Sequence, residues 1–143
     1  MDDNKSKNYQ VNQREVPWIS LLPPNILPPR FKYPSEYLWL INRRLVFLNP
    51  WMLCSIDEVE IRYRGLQKRY PNRTLVPFAR RFDNDDVACW ENDDNKRVVV
   101  VHDFASSGWE DTGEFYPNFW AWFKAVVDDM IEYQSNFEDG ELL

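Results

Sequence analysis

Residues 86–103 read DVACWENDDNKRVVVVHD, and this stretch decides the fold. Two apolar runs, Asp86 to Glu91 and Lys96 to Asp103, are separated by Asn92-Asp93-Asp94-Asn95. Asn and Asp side chains bond to nearby backbone and tolerate turn conformations, so the four residues form a reversal. Two β-prone runs joined by such a loop make an antiparallel hairpin. Val98, Val99, Val100 and Val101 put branched apolar side chains on both faces of the second strand. A strand of that kind lies inside a sheet that is covered on both sides.

Working outward, Leu75 to Ala79 is a further short strand, in which Pro77 marks an edge or a strand end because proline donates nothing to a ladder. Val46-Phe47-Leu48 reads as a short strand closed by Asn49-Pro50. A helix is expected from Ser35 as N-cap, with Glu36 in its first turn and Tyr37 to Ile41 apolar on most sides. Ser55-Ile56-Asp57-Glu58 has the capping-box form, and Ile56, Val59, Tyr63, Leu66 and Tyr70 recur at helical spacing up to Pro71. A loop holding Ser106, Ser107, Gly108 and Gly113 leads to a closing helix over Pro117 to Gln134, whose apolar stripe includes Phe119, Phe123, Val126 and Met130. Trp120 and Trp122 lie about 200° apart on that helix, so only one of them faces inward. The fold class is therefore α+β: a single twisted, mostly antiparallel sheet with helices packed against it.

At 143 residues the chain fits one domain, and 44 % hydrophobic with 16 % aromatic residues secures a packed core. Residues 1–13 read as a flexible arm, 14–136 as the domain and 137–143 as a frayed tail. Pro17, Pro23, Pro24, Pro28 and Pro29 keep the lead-in from becoming helical. No run approaches the roughly 18 apolar residues of a membrane span, and Met1 to Arg14 has no apolar signal region, which points to the cytoplasm. Cys54 and Cys89 read as reduced, buried thiols.

Charge divides sharply along the chain. Residues 1–81 carry 14 Lys and Arg against 7 Asp and Glu (+7), and residues 82–143 carry 3 against 16 (−13), together the net −6. Unless the fold brings these halves together, the surface carries a strong dipole and steers a basic partner to the acidic side. The same balance argues against nucleic acid as a ligand.

Reactive constellations are scarce. His102 is the only histidine, and a nucleophilic site would need it beside Cys89 or Ser106, with Cys89 and Val101 facing each other across the hairpin. A strand-end histidine bonded locally is the simpler reading. Asp83, Asp85, Asp86, Glu91, Asp93 and Asp94 are close in sequence but lack the glycine turn and distal glutamate of a calcium loop. Two distant cysteines and one histidine do not make a zinc site, and four scattered glycines make no phosphate loop. No enzyme activity, cofactor or metal is expected. Trp109, between Gly108 and Glu110-Asp111, reads instead as an exposed tryptophan among carboxylates, the arrangement of a protein-binding hot spot. The candidate partner-binding residues are Asp83, Asp85, Asp86, Glu91, Asp93, Asp94, Trp109, Glu110, Asp111 and Glu114.

In order along the chain come "YPSEYLWLI", "NPWMLCSIDEVEIRYRGLQKRYP", "LVPFARRFDNDDVACWE", "VVVVHDFASSGWE" and "FWAWFKAVV". This series resembles the SUKH superfamily of Smi/Knr-type proteins, most closely over Leu75 to Val127. The family's Asn-Gly-Gly-like turn after the first helix is here Asn42-Arg43-Arg44. The resemblance implies the α+β fold already derived. It also implies a role as an immunity protein that binds and neutralises a cognate toxin, expected to be a basic nuclease. Some relatives act instead as regulatory adaptors, which is the alternative role.

Overall fold

The computed structural model describes residues 21–92 and 94–136; the expected arm 1–13 and tail 137–143 lie outside the described residues. The described elements are α1 (Ser35–Asn42), β1 (Phe47–Leu48), β2 (Trp51–Leu53), α2 (Val59–Arg69), β3 (Leu75–Arg81), β4 (Asp86–Glu91), β5 (Val98–His102), β6 (Asp111–Tyr116) and α3 (Phe119–Ser135). The strands form one six-stranded antiparallel sheet in the order β1-β2-β3-β4-β5-β6, with the three helices packed against it. The fold class expected from the sequence is the one observed. None of the described helices is long and apolar enough to cross a membrane.

Local chemistry explains most element boundaries. The Asn118 side chain caps α3 by accepting from the Ala121 N–H at 2.8 Å. At the start of α1 the capping position is held by extended Pro34, not Ser35, and the Ser35 hydroxyl bonds to Glu36 at 3.1 Å. Half of the expected capping box is present: Glu58 Oε1 accepts from the Ser55 N–H at 3.3 Å. The regular helix begins only at Val59, which leaves Ile56 in the preceding turn and 40 % exposed, contrary to its expected place on the apolar stripe. Arg44 takes the left-handed conformation, φ 59°, that a glycine would adopt at the end of α1. Its N–H bonds to the Ile41 carbonyl and the Leu45 N–H reaches back to Leu40, the paired bonds that close a helix on a left-handed residue.

Hairpin β4–β5 forms as expected, but with a longer connection. Asp94 Oδ1 accepts from the N–H groups of Lys96 and Arg97, removing both from the ladder, so β5 starts at Val98. Cys89 accordingly faces Val99, not Val101, and His102 faces Asp86. Pro77 sits inside β3, the third of six strands, where an edge or a strand end was expected. It is tolerated because β2 reaches only as far as Ala79 and a bulge separates Pro77 from Ala79, so β3 is locally unpaired on that side.

The two faces of the sheet bury alternate residues. Val76, Phe78, Ala88, Trp90, Val98 and Val100 face α1 and α3, where Tyr37, Leu40, Phe119, Trp122 and Val126 complete the larger cluster. Leu75, Val87, Cys89, Val99 and Val101 face the other way, beneath Leu66 of α2 and Tyr70. At the centre Phe78 stacks on Trp90 with ring centroids 4.2 Å apart, and Trp122 meets Phe78 edge-on at 4.9 Å. Truncating any one of these rings to alanine removes about 3–5 kcal/mol. Trp122 is buried and Trp120 is 41 % exposed, as the helical geometry requires.

A candidate protein-binding surface

The loop between β5 and β6 is fixed at both ends by charged and polar groups. Asp103 at its start is fully buried and accepts from Arg62 at 2.7 Å, from Arg69 at 2.8 and 2.9 Å, and from the Phe104 N–H at 2.7 Å. Tyr70 donates its hydroxyl to the Ala105 carbonyl at 2.8 Å. Near the other end Glu110 turns inward, where it accepts from the Gly108 N–H at 2.7 Å and from Arg73 at 3.0 Å. Burial alone would raise the Glu110 carboxyl; the Arg73 bond and two backbone N–H groups outweigh it and hold the group below its usual range. Gly108, at φ 96°, supplies the left-handed step that lets the backbone make this turn.

On this anchored loop Trp109 stands 80 % exposed. Phe104 is also outward, 63 % exposed, with the Arg69 guanidinium 4.3 Å from its ring centre. Phe115 on β6 is 61 % exposed and carries Arg97 at 4.7 Å from its ring centre. The expectation of an outward tryptophan at this position is met. The expectation that Glu110 stands beside it on the surface is not: Glu110 is 5 % exposed and committed to Arg73 and Gly108.

The remaining acidic residues divide into separate groups. Arg73 ties Glu91 (2.7 and 2.9 Å), Glu110 (3.0 Å) and Asp111 (2.9 Å) into one cluster, with Glu114 further along β6. Asp83 and Asp85 lie before β4, Asp86 is its first residue, and Asp94 lies in the turn after it. Six residues of β4 separate these positions, about 20 Å of strand. Asp83 is held below the usual carboxylate range by its two bonds to Arg81, each 2.8 Å. Asp86 bonds to His102 Nδ1 at 2.6 Å, which raises the imidazole above its ordinary value. Asp93 lies outside the described residues. Among the described residues no group of three or more His, Cys, Asp or Glu converges in a way that could hold a metal ion.

Sequence reasoning missed Asp103, Arg62, Arg69 and Arg73, which determine how the loop is held. Their partners are 18 to 41 residues away, and no local pattern marks them. Cys54 and Cys89 are both buried thiols, as expected, and burial pushes the Cys54 thiol up to about 12. A scan against protein-family models, a search of curated proteins and a search of solved structures return no match for the chain.

Proposed function

We propose that the chain is a non-catalytic protein-binding domain of the toxin-immunity kind, and that its partner docks over the β5–β6 loop. The observation that carries the reading is Trp109, 80 % exposed on a loop held by Asp103, Tyr70 and Glu110. A large apolar side chain left in water costs the free protein nothing to unfold or rearrange on binding, and a held loop loses little further entropy. Phe104, five residues before Trp109, and Phe115, six residues after it, are also exposed.

The immunity role rests on the SUKH resemblance, and the docking surface on the geometry. Their joint test is growth. The chain is co-expressed with the product of the adjacent reading frame, and growth is compared with that product expressed alone. The reading expects toxicity, its relief by the chain, and loss of relief with Trp109→Ala while the variant still unfolds at the normal urea concentration. A harmless neighbour, or a toxic one that the chain does not relieve, removes the immunity role and favours a regulatory adaptor.

A further inference from the structure

The segment that leads into α1 walls a groove of about 610 Å³, lined by Leu21, Leu27, Phe31, Tyr33 and Leu38 together with three prolines and Lys32. Two turns that begin at prolines shape it. The Ile26 N–H bonds to the Pro23 carbonyl at 2.9 Å, and the Phe31 N–H to the Pro28 carbonyl at 3.0 Å. Proline fixes its own φ, so these turns have little freedom to collapse into the space they enclose. Beneath the groove, Phe31 is buried and meets Tyr33 edge-on at 5.3 Å, and both rings lie against Trp90, at 5.6 and 5.9 Å. Asn95 ties the segment to the β4–β5 turn by donating its amide to the Lys32 carbonyl at 2.8 Å. The groove is therefore preformed, and its volume lies within the range of about 300–1,000 Å³ that small molecules occupy.

Two side chains interrupt this apolar lining, and both are donors. The Tyr33 hydroxyl accepts from the Leu22 N–H at 2.9 Å, and its own proton has no acceptor among the described residues. Burial pushes the phenol up, so it keeps that proton at neutral pH. Lys32 is exposed, and its ammonium has no carboxylate partner among the described residues. A charged donor and a neutral one beside an apolar trough favour an anionic head on an apolar stem. The lining side chains include no carboxylate and no amide. A peptide laid in the groove would thus leave backbone N–H groups without a side-chain acceptor, and a cationic head would meet only Lys32. An alkyl chain has no such groups to satisfy.

We propose that this groove binds an amphipathic anion of the fatty-acid class, with its alkyl chain against the leucines, prolines and Phe31 and its carboxylate at Lys32 and the Tyr33 hydroxyl. Among the described residues the groove takes nothing from the β5–β6 loop or β6, so the assignment stands apart from the proposed docking over Trp109.

The test titrates octanoate, octanol and octylammonium, each below the concentration at which it forms micelles, into the isotopically labelled full chain. Saturable shifts of the Leu27, Phe31 and Tyr33 amides are expected, with octanoate bound most tightly and octylammonium least. Along the series from butanoate to octanoate, each added CH₂ should tighten binding about fourfold. Lys32→Gln, an exposed change that leaves the urea midpoint where it was, should weaken octanoate about threefold and leave octanol unaffected. Tyr33→Phe should weaken octanoate about fivefold; because it also removes the bond to Leu22, Lys32→Gln decides if that variant is destabilised. Octanol bound as tightly as octanoate, preference for octylammonium, no dependence on chain length, or shifts located elsewhere would overturn the proposal. No binding to the full chain, with binding gained in Trp18→Ala, would assign the groove to the chain's own lead-in and overturn it equally. None of these outcomes bears on docking over Trp109, which the growth test decides.

Discussion

Replacing Asp103 by alanine tests how the Trp109 loop is held. The Asp103 side chain has no exposed surface and accepts three bonds from two arginines and one from the Phe104 backbone. Without it, Arg69 has no carboxylate partner among the described residues, and Arg62 keeps only Glu58 at 3.5 Å. Removing one member of a fully buried ion pair costs about 3–5 kcal/mol. The two arginine side chains are 19 % and 29 % exposed, so water recovers part of that. The expected loss is about 2–3 kcal/mol. With a urea dependence of about 2 kcal/mol per molar, the unfolding midpoint falls by about 1–1.5 M. Asp103→Asn keeps the shape but not the charge and turns an amide toward the guanidinium groups, so it loses most of the same amount. The double variant Arg62→Ala, Asp103→Ala should cost at least about 1 kcal/mol less than the sum of the single changes. Amide exchange at Ala105 and Gly108 should quicken in Asp103→Ala. A midpoint shift under about 0.3 M, or strictly additive costs, would refute the view that this pair anchors the loop.

Trp109→Ala should change stability by less than about 0.5 kcal/mol, because the side chain is exposed, yet weaken binding to an identified partner by about 2 kcal/mol, or about thirtyfold, mainly through faster dissociation measured by surface plasmon resonance. Charge reversal at Asp94 should act on the association rate and its salt dependence instead. His102 should titrate above 6.5 because of its bond to Asp86, and its ring resonances should return toward 6.5 in Asp86→Asn. A raised folded value stabilises the protein below the unfolded value and is lost as pH rises through the folded one, so stability should fall slightly on raising pH above about 6.5. Cys54 and Cys89 should resist Ellman's reagent at pH 8 in the folded protein and react at once in urea, since burial raises both thiols far above that pH. Fast reaction of either in the folded chain would contradict their placement.

Legibility in the sequence followed the strength of local patterns. The valine strand and its hairpin, α2 and the closing helix were readable because period 2 and period 3.6 leave distinct marks over more than one turn. Strands β2 and β6 were not. β2 has three residues, and β6 includes Thr112, Gly113 and Glu114, which carry no apolar alternation because that edge faces water and bulges. Register was lost to a side chain: Asp94 withdraws the Lys96 and Arg97 N–H groups, which moves Cys89 opposite Val99. Of the candidate site, Trp109 was legible from its setting between Gly108 and acidic neighbours. The inward turn of Glu110 was not, because it depends on Arg73, placed beside it only by the packed fold.

If a partner docks over the Trp109 loop as proposed, the fate of the charge asymmetry decides how it binds. Arg62 and Arg69 reach Asp103, Arg73 reaches Glu91, Glu110 and Asp111, and Arg81 reaches Asp83 and Asp129. Each of these pairs joins the basic first 81 residues to the acidic remainder, so the fold cancels much of the dipole that the sequence alone suggests. What survives near the held aromatic is local, chiefly the half-free Asp111 two residues on, acting over a screening length of about 8 Å at physiological salt. Such a surface gains modestly from long-range steering and depends on contact. On the proposed docking, affinity would come from desolvating Trp109, with nearby carboxylates selecting the partner. A salt series on any identified complex discriminates the two cases. A shallow slope in the association rate, with the Trp109→Ala loss in the dissociation rate, agrees with this account. A steep slope would mean that the acidic half acts as one field after all.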